Sequence, residues 1–171
     1  KVVVADYDKK RAEKVANEIC GGGKFVPAQI NAMDAESIKS VAAEHGCDFA
    51  MNACDPRMNQ TIFDTCLAAG IGYLDCAMTL GTEHPEKPYE LTNIKLGDYQ
   101  FAKQKEWEAS GKTAICGSGV EPGMADVFAK FAQKHLFDKI DRVDVRDGDN
   151  YGNTDSDFGF SVWTTIEECL Q

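Results

Sequence analysis

Short apolar runs alternate with amphipathic stretches at intervals of about 25 residues, the mark of strands joined by helices. Residues 2–5 (VVVA) read as a buried strand. Asp8 then caps a helix whose apolar positions, Ala12, Val15, Ala16 and Ile19, recur at helical spacing, with Gly21–Gly23 ending it. Residues 24–30 form a short strand, with Pro27 favouring an edge. Asp34 caps a second helix carrying Ile38, Val41 and Ala42. Phe49-Ala50-Met51 is a third buried strand, closing in Asn52-Ala53-Cys54. Asp55-Pro56 supplies an N-cap followed by proline in the first turn, and Met58, Ile62, Cys66 and Leu67 share one side of the helix up to Gly70. Residues 71–76 make a fourth strand. Residues 77–99, polar and containing Pro85 and Pro88, read as an insertion or lid. A helix through Phe101 to Ala109 ends at Gly111, and Thr113–Cys116 is a fifth strand. A periodic helix starts at Met124 (Val127, Phe128, Phe131, Ala132, Leu136) and leads to a strand near 140–146. A further element begins after Phe158.

Strands alternating with helices predict parallel βαβ units in a doubly wound α/β sheet. Ligands of such sheets sit outside the carboxyl ends of the strands. Those ends are Asp6, Asn31–Asp34, Asn52–Asp55, Asp75–Cys76 and Gly117–Gly123, all polar or glycine-rich. An acid at the end of a dinucleotide fold's second strand accepts hydrogen bonds from the adenosine ribose and repels a 2′-phosphate, so Asp6 points to NAD ahead of NADP. Its other reading is a turn or helix-capping carboxylate beside Asp8. No G-x-G-x-x-G occurs in the chain. Gly21-Gly22-Gly23 follows a helix, and Gly117-Ser118-Gly119 comes late and runs into Pro122, so neither matches a pyrophosphate cradle. The chain opens inside a strand, and the first βα unit of such a fold is expected upstream of Lys1. Asp75, in a Tyr-Leu-Asp strand end, reads either as a substrate or ribose contact or proton-transfer group, or as a loop-bracing carboxylate. Glu121, between glycines and before Pro122-Gly123, carries the same two readings. The sequon Asn59-Gln60-Thr61 falls in a helix and is taken as chance.

Composition narrows the class. The chain has 171 residues, 43% of them hydrophobic, enough for a core. With 28 acids against 18 bases the net charge is −10, which excludes a nucleic-acid partner that needs a basic stripe. No apolar run reaches the roughly 20 residues of a membrane span, and the opening Lys1-Val2-Val3-Val4 lacks a signal-peptide pattern. Seven cysteines at 20, 47, 54, 66, 76, 116 and 169 form no C-x-x-C, and His45, His84 and His135 have no ligand spacing. Reduced, buried thiols, a cytoplasmic location and no metal site are expected.

Val4-Ala5-Asp6, Asn52-Ala53-Cys54-Asp55-Pro56, Gly70-Ile71-Gly72-Tyr73-Leu74-Asp75 and Gly119-Val120-Glu121-Pro122-Gly123-Met124 together resemble the saccharopine dehydrogenase-like family. That family includes saccharopine reductases, lysine 6-dehydrogenase and carboxynorspermidine dehydrogenase. Phe131–Asp138 and the Val-Asp-Val-Arg-Asp that follows look most like the last of these. The resemblance implies a Rossmann-type domain over 1–125 lacking its first βα unit, and the start of an α+β substrate and dimerisation domain over 126–171. It implies an NAD(P)-dependent oxidoreductase acting at a C–N bond of an amino acid or polyamine precursor, working as a homodimer. Asp6 would bind the ribose, and Asn52, Ala53 and Cys54 would line the dinucleotide. Val120, Pro122 and Gly123 would approach the nicotinamide, with Asp75 and Glu121 as catalytic candidates. Glu121 stands where the family more often has Asp, and Asp6 where an NADPH-preferring relative carries a basic residue. The rival readings are a nucleotide-binding sensor on the same fold and a methyltransferase-like sheet, the latter weakened by the lack of an aromatic adenine box.

Overall fold

The computed structural model describes residues 1–19 and 23–146. Strand β1 (Val2–Asp6) pairs in parallel with β2 (Phe25–Gln29), joined by α1 (Lys9–Lys14), which continues as a π-helical turn over Val15–Ile19. Helix α2 (Ala35–His45) leads to β3 (Phe49–Asn52), and a 3₁₀ turn (Pro56–Met58) opens α3 (Asn59–Ala69). Strand β4 (Gly72–Asp75) lies between β3 and β7 (Ala114–Ile115) in a second parallel sheet. A small antiparallel hairpin, β5 (Thr82–Glu83) and β6 (Thr92–Ile94), occupies the polar segment after β4. It is followed by α4 (Asp98–Ala102) and α5 (Gln104–Ser110), and α6 (Met124–His135) comes last.

This is the expected parallel α/β architecture, divided into two ladders. The orders β2-β1 and β3-β4-β7, both parallel, fit the strand arrangement of a doubly wound sheet. The predicted caps are present. Asp8, Asp34 and Asp55 each accept a hydrogen bond from a backbone amide two residues on, at 2.9–3.0 Å.

The core lies between α2, α3, α5 and the second sheet. Phe63 sits edge-on to Tyr73 with ring centres 5.1 Å apart, and tilted against Trp107 at the same distance. Ile38, Ile62, Cys66 and Ile71 close around these rings. Beside this core, the Asp64 carboxylate takes the Tyr99 hydroxyl and the Lys103 ammonium, tying α3 to α4.

Four expectations are corrected. The first and third strands are not buried: Val2 is 51% exposed, Phe49 44% and Met51 69%, because narrow ladders leave these positions without a covering layer among the described residues. The helix through 101–109 starts earlier, at Asp98, and is broken at Lys103, where the chain tightens to an amide bond onto Gln100 O at 3.1 Å. The segment described over 139–146 forms no strand. Among the described residues no strand lies beside it, and its ion pairs, Lys139–Asp141 and Arg142–Asp144, stay local. Of the described cysteines, all free, Cys66 is fully buried while Cys54 is exposed, because it lies just past the open end of β3. The Gly21–Gly22 part of the first helix stop, Cys20, Cys169 and the element after Phe158 lie outside the described residues. Helix α6 has the predicted periodicity but buries nothing: Val127, Phe128 and Phe131 stay more than half exposed.

Phe63→Ala is expected to lower the unfolding free energy by about 3–5 kcal/mol, because truncation empties the centre of the aromatic cluster. Tyr89→Ala, at a 98% exposed hairpin position, should stay within about 0.5 kcal/mol. Urea titration of both variants checks the contrast.

Candidate functional site

Period-two geometry puts Tyr73 and Asp75 on the same face of β4, and the register sets Asn52 of β3 directly beside Asp75. Asp75 is buried, 1% exposed, at the strand's carboxyl end. Its Oδ2 accepts from the Tyr73 hydroxyl at 2.8 Å and from Gln100 Nε2 at 2.5 Å. Its Oδ1 accepts from the Met78 amide at 3.0 Å and the Gly117 amide at 2.7 Å. These four donors fill the positions a carboxylate offers. The Asp75 carbonyl takes a fifth donor, the Ser118 amide, at 2.8 Å. Burial, first, and the negative neighbour Asp75 push the Tyr73 phenol well above its ordinary range, so it stays a donor. The network extends sideways. Asn52 Nδ2 donates to Asn59 Oδ1 at 2.6 Å, and Asn59 Nδ2 donates to the Met78 carbonyl at 2.5 Å. Gln100 Oε1 receives the Thr79 amide at 2.8 Å.

One step along the rim, Asn52 Oδ1 accepts the Cys54 amide at 2.9 Å and folds residues 52–54 into a tight turn, with Ala53 and Cys54 facing solvent. Partial burial of the thiol, then the Asp6 carboxylate, then Asp55 raise the pKa of Cys54. The ends of β1 and β3 therefore share one electrostatic neighbourhood although they belong to separate ladders. Asp6 Oδ1 accepts the Asp8 amide at 2.8 Å, and Arg11 Nη1 stands 3.6 Å from Asp6 Oδ2. The end of β2 is used differently: Asn31 and Asp34 serve the turn and the cap of α2.

The other end of the rim is the Gly117–Gly123 turn. Gly119 donates to the Pro122 carbonyl at 3.0 Å, and the Met124 and Ala125 amides return to Gly119 and Val120 at 2.9 and 3.0 Å. The backbone here is packed against itself. A Cβ at Gly123, where φ is +133°, would stand under 3.0 Å from the carbonyl oxygens of Gly117 and Gly119. Val120 and Glu121 are exposed on the outside of the turn, while Pro122 is half-buried within it.

Asp6, Asn52–Cys54, Asp75 and the turn bearing Val120–Gly123 thus lie in succession along the carboxyl ends of the strands. Glu121 is displayed to solvent, whereas Asp75 is enclosed and holds the turn from beneath. Asn59, Tyr73, Gln100 and Arg11 were not foreseen. The alternation Tyr73-x-Asp75 was the one available signal, since Asn59 and Gln100 are distant in sequence and Arg11 is one of several bases in its helix. A cavity of about 390 Å³ lies elsewhere, against α4, α5 and β7, lined by Phe101, Gln104, Trp107 and Ala114. It contains none of the predicted site residues, so the strand-end rim remains the candidate. The rim suits a dinucleotide: a partly exposed acid at one end, exposed backbone at 53–54, and a tightly packed glycine-rich turn at the other.

Asp75→Asn should destabilise the protein by about 3 kcal/mol, because the amide nitrogen would face donors that lose their acceptor; denaturant midpoints test it. For Cys54, burial raises the pKa first and the Asp6 charge adds to it by opposing the thiolate, so Asp6→Asn should speed alkylation of Cys54 at pH 8 roughly twofold. Cys116, with its thiol pushed up to about 12 by burial and then Asp75, and Cys66, pushed up to about 12 by burial, should stay unlabelled over the same interval. Mass-spectrometric mapping after iodoacetamide reads both.

Comparison with known proteins accords with this layout. Residues 1–115 match the model of the saccharopine dehydrogenase NADP binding domain. Carboxynorspermidine synthase of Vibrio alginolyticus is 37% identical over 126 residues, covering 72% of this chain and 29% of the relative. The protein of the same name from Vibrio cholerae is 32% identical over 158 residues, 85% and 36% of the two chains. Carboxyaminopropylagmatine dehydrogenase of Synechocystis is 29% identical over 174 residues, 99% and 41%. The chain spans about a third of the length of these curated relatives, 29 to 41%. Among the described residues no helix is long and apolar enough to cross a membrane. With its parallel α/β layout, its rim of strand-end residues and a match over residues 1–115, the chain belongs to the saccharopine dehydrogenase-like family and carries its NADP-binding domain.

Proposed function

We propose that the protein is an NAD(P)-dependent oxidoreductase acting at a C–N bond of a polyamine-type or amino-acid precursor, with residues 1–125 as its dinucleotide domain and 126–171 opening its substrate and dimerisation domain. The observation that carries this reading is the run of Asp6, Asn52–Cys54 and the Val120–Gly123 turn along one rim of a domain matched to an NADP-binding family. Two relatives bear names of carboxylated polyamine chemistry, which supports the substrate class.

When bound, the nicotinamide supplies a hydride to the carbon of a C=N bond, or accepts one from the corresponding amine. The chain's own residues do the rest. Asp6 accepts hydrogen bonds from the adenosine ribose hydroxyls, favouring NAD. Asn52, Ala53 and Cys54 present backbone and small side chains to the dinucleotide. Val120, Pro122 and Gly123 form the floor of the nicotinamide end, on a turn packed tightly against its own backbone. Glu121, outside that floor, is the carboxylate placed to hold a substrate ammonium, an attraction that suits a cationic polyamine. Asp75 acts through the turn it supports, as a positioning residue. A 1 Å shift of that floor would misalign donor and acceptor carbons.

The test is a stopped assay of the complete protein with NADH and NADPH, following absorbance at the reduced-nicotinamide band with diamine, aminoaldehyde, lysine and saccharopine substrates. Oxidation of the cofactor with at least one amine–carbonyl pair is the expected result. Cofactor binding with no turnover across the panel would point to the nucleotide-sensing alternative, and no binding would sink both. Glu121→Gln should raise KM for the cationic substrate about tenfold while leaving cofactor affinity near its starting value.

A further inference from the structure

Asp75 carries the glycine turn on one oxygen and is steadied on the other. Oδ1 takes the Gly117 and Met78 amides, and Oδ2 takes the Tyr73 hydroxyl and Gln100 Nε2. Rotation about the last bond of an aspartate is soft, so the plane of its carboxylate is set by what the two oxygens bond. Tyr73 lies on the same strand and moves with it. Gln100 reaches Oδ2 from a separate helix, α4, at 2.5 Å, and is 3% exposed. Its amide cannot turn over. Oε1 faces the Thr79 N–H at 2.8 Å while Nε2 faces the carboxylate, so a flip would set oxygen against oxygen and N–H against N–H. Helix α4 is held in turn, because Tyr99 and Lys103, on either side of Gln100 in sequence, both bond Asp64 of α3.

We propose that Gln100 is a positioning residue for hydride transfer, an amide that fixes the Asp75 carboxylate and through it the height of the Gly117–Gly123 turn beneath the nicotinamide. The inference rests on the cofactor reading above. The chain of contacts is short: α3 holds α4, Gln100 holds Asp75 Oδ2, Asp75 Oδ1 holds Gly117, and the Asp75 carbonyl holds Ser118. Met78 packs into the same joint, its side chain lying over the α-carbons of Gly97 and Gly117, so a turned carboxylate carries the turn with it. The role needs an amide. A carboxylate at position 100 would still accept the Thr79 N–H, but it would meet Asp75 as a like charge, and the two would have to share a proton. An apolar side chain of similar size would leave Oδ2 with the Tyr73 hydroxyl alone and the buried Thr79 amide without its acceptor. Tyr73 of β4 and Cys116 after β7, which feel the Asp75 charge, both stay neutral near neutral pH: burial lifts the phenol, and burial and then Asp75 push the thiol up to about 12.

The complete protein is assayed with reduced cofactor and an amine–carbonyl pair that it turns over, as the ratio of variant to wild type at each pH, and is titrated calorimetrically with 5′-AMP. Gln100→Glu should cut kcat at least tenfold at about pH 8.5 and return to within about threefold of wild type at about pH 6, because acid supplies the shared proton. Gln100→Leu should cut kcat about tenfold at every pH while leaving KM for the substrate within about twofold. Both variants should bind 5′-AMP within about twofold of wild type, since the adenosine end of the rim rests on Asp6 and not on this joint. Gln104→Glu, one turn on, where the amide bonds Glu108 on an exposed helix face, should behave as wild type throughout. Wild-type kcat in Gln100→Leu would overturn the assignment while sparing the oxidoreductase reading. So would a loss in Gln100→Glu that does not lessen as the pH falls, or a loss of 5′-AMP binding that matches the loss of turnover. If Gln100→Leu fails to fold, the pH response of Gln100→Glu decides alone. No turnover by wild type across the substrate panel would remove both readings.

Discussion

A carboxylate taken out of water keeps its charge at tolerable cost only if donors replace its hydration. Asp75 meets that condition with the Tyr73 hydroxyl, the Gln100 amide group and the backbone amides of Met78 and Gly117. Each donor belongs to a different stretch: β4 itself, α4, the start of the hairpin segment, and the glycine turn after β7. One buried charge therefore sets where three separate connections leave the sheet. Asn59 adds a second fastening, holding the Met78 carbonyl while Asp75 holds the Met78 amide. Met78 takes a left-handed φ of 56°, unusual for a residue with a side chain, and these two bonds at its ends hold it there.

The same arrangement separates a firm base from a free tip. Thr79 is bonded to Gln100 through its amide and to Gly97 through its carbonyl, so both stems of the hairpin segment are pinned. Beyond them, residues 82–94 are paired mainly with one another, through Asn93 onto Thr82 and Glu83 and through Lys87 with Glu90. Tyr89 and Leu91 point into solvent. Motion of that tip is mechanically decoupled from the strand ends, since any displacement must pass through the pinned stems.

How far the sequence revealed this depends on the range of the interaction. Alternation of apolar runs with capped helices is local, and the caps at Asp8, Asp34 and Asp55 and the strand ends at Asp6, Asn52 and Asp75 could all be read from it. Burial could not, because it depends on what covers a face: Val2 and Met51 have strand-like apolar character but no covering layer among the described residues. The same logic undid the strand near 140–146, whose alternation finds no ladder to join among the described residues. Asn59 shows the opposite failure. Read as a chance sequon on a helix, it is 1% exposed and bridges two loops, which only the register of β3 on β4 and the path of the next loop bring about. Gln100 had no local signature, since its partner is 25 residues away across the fold.

The glycine turn after β7 also limits how the protein can diversify. Gly119 and Gly123 touch backbone on every side, Gly119 against the Cys76 carbonyl and Gly123 against Gly117 and Gly119, so neither position tolerates a side chain without displacing main chain. Asp75 anchors the same loop from below and is equally constrained by its donors. Evolutionary tuning of this end of the rim is thereby channelled to the outward residues Val120 and Glu121, which can change while the scaffold beneath them stays the same. Substitutions at those two positions can accumulate one residue at a time without rebuilding the loop that presents them.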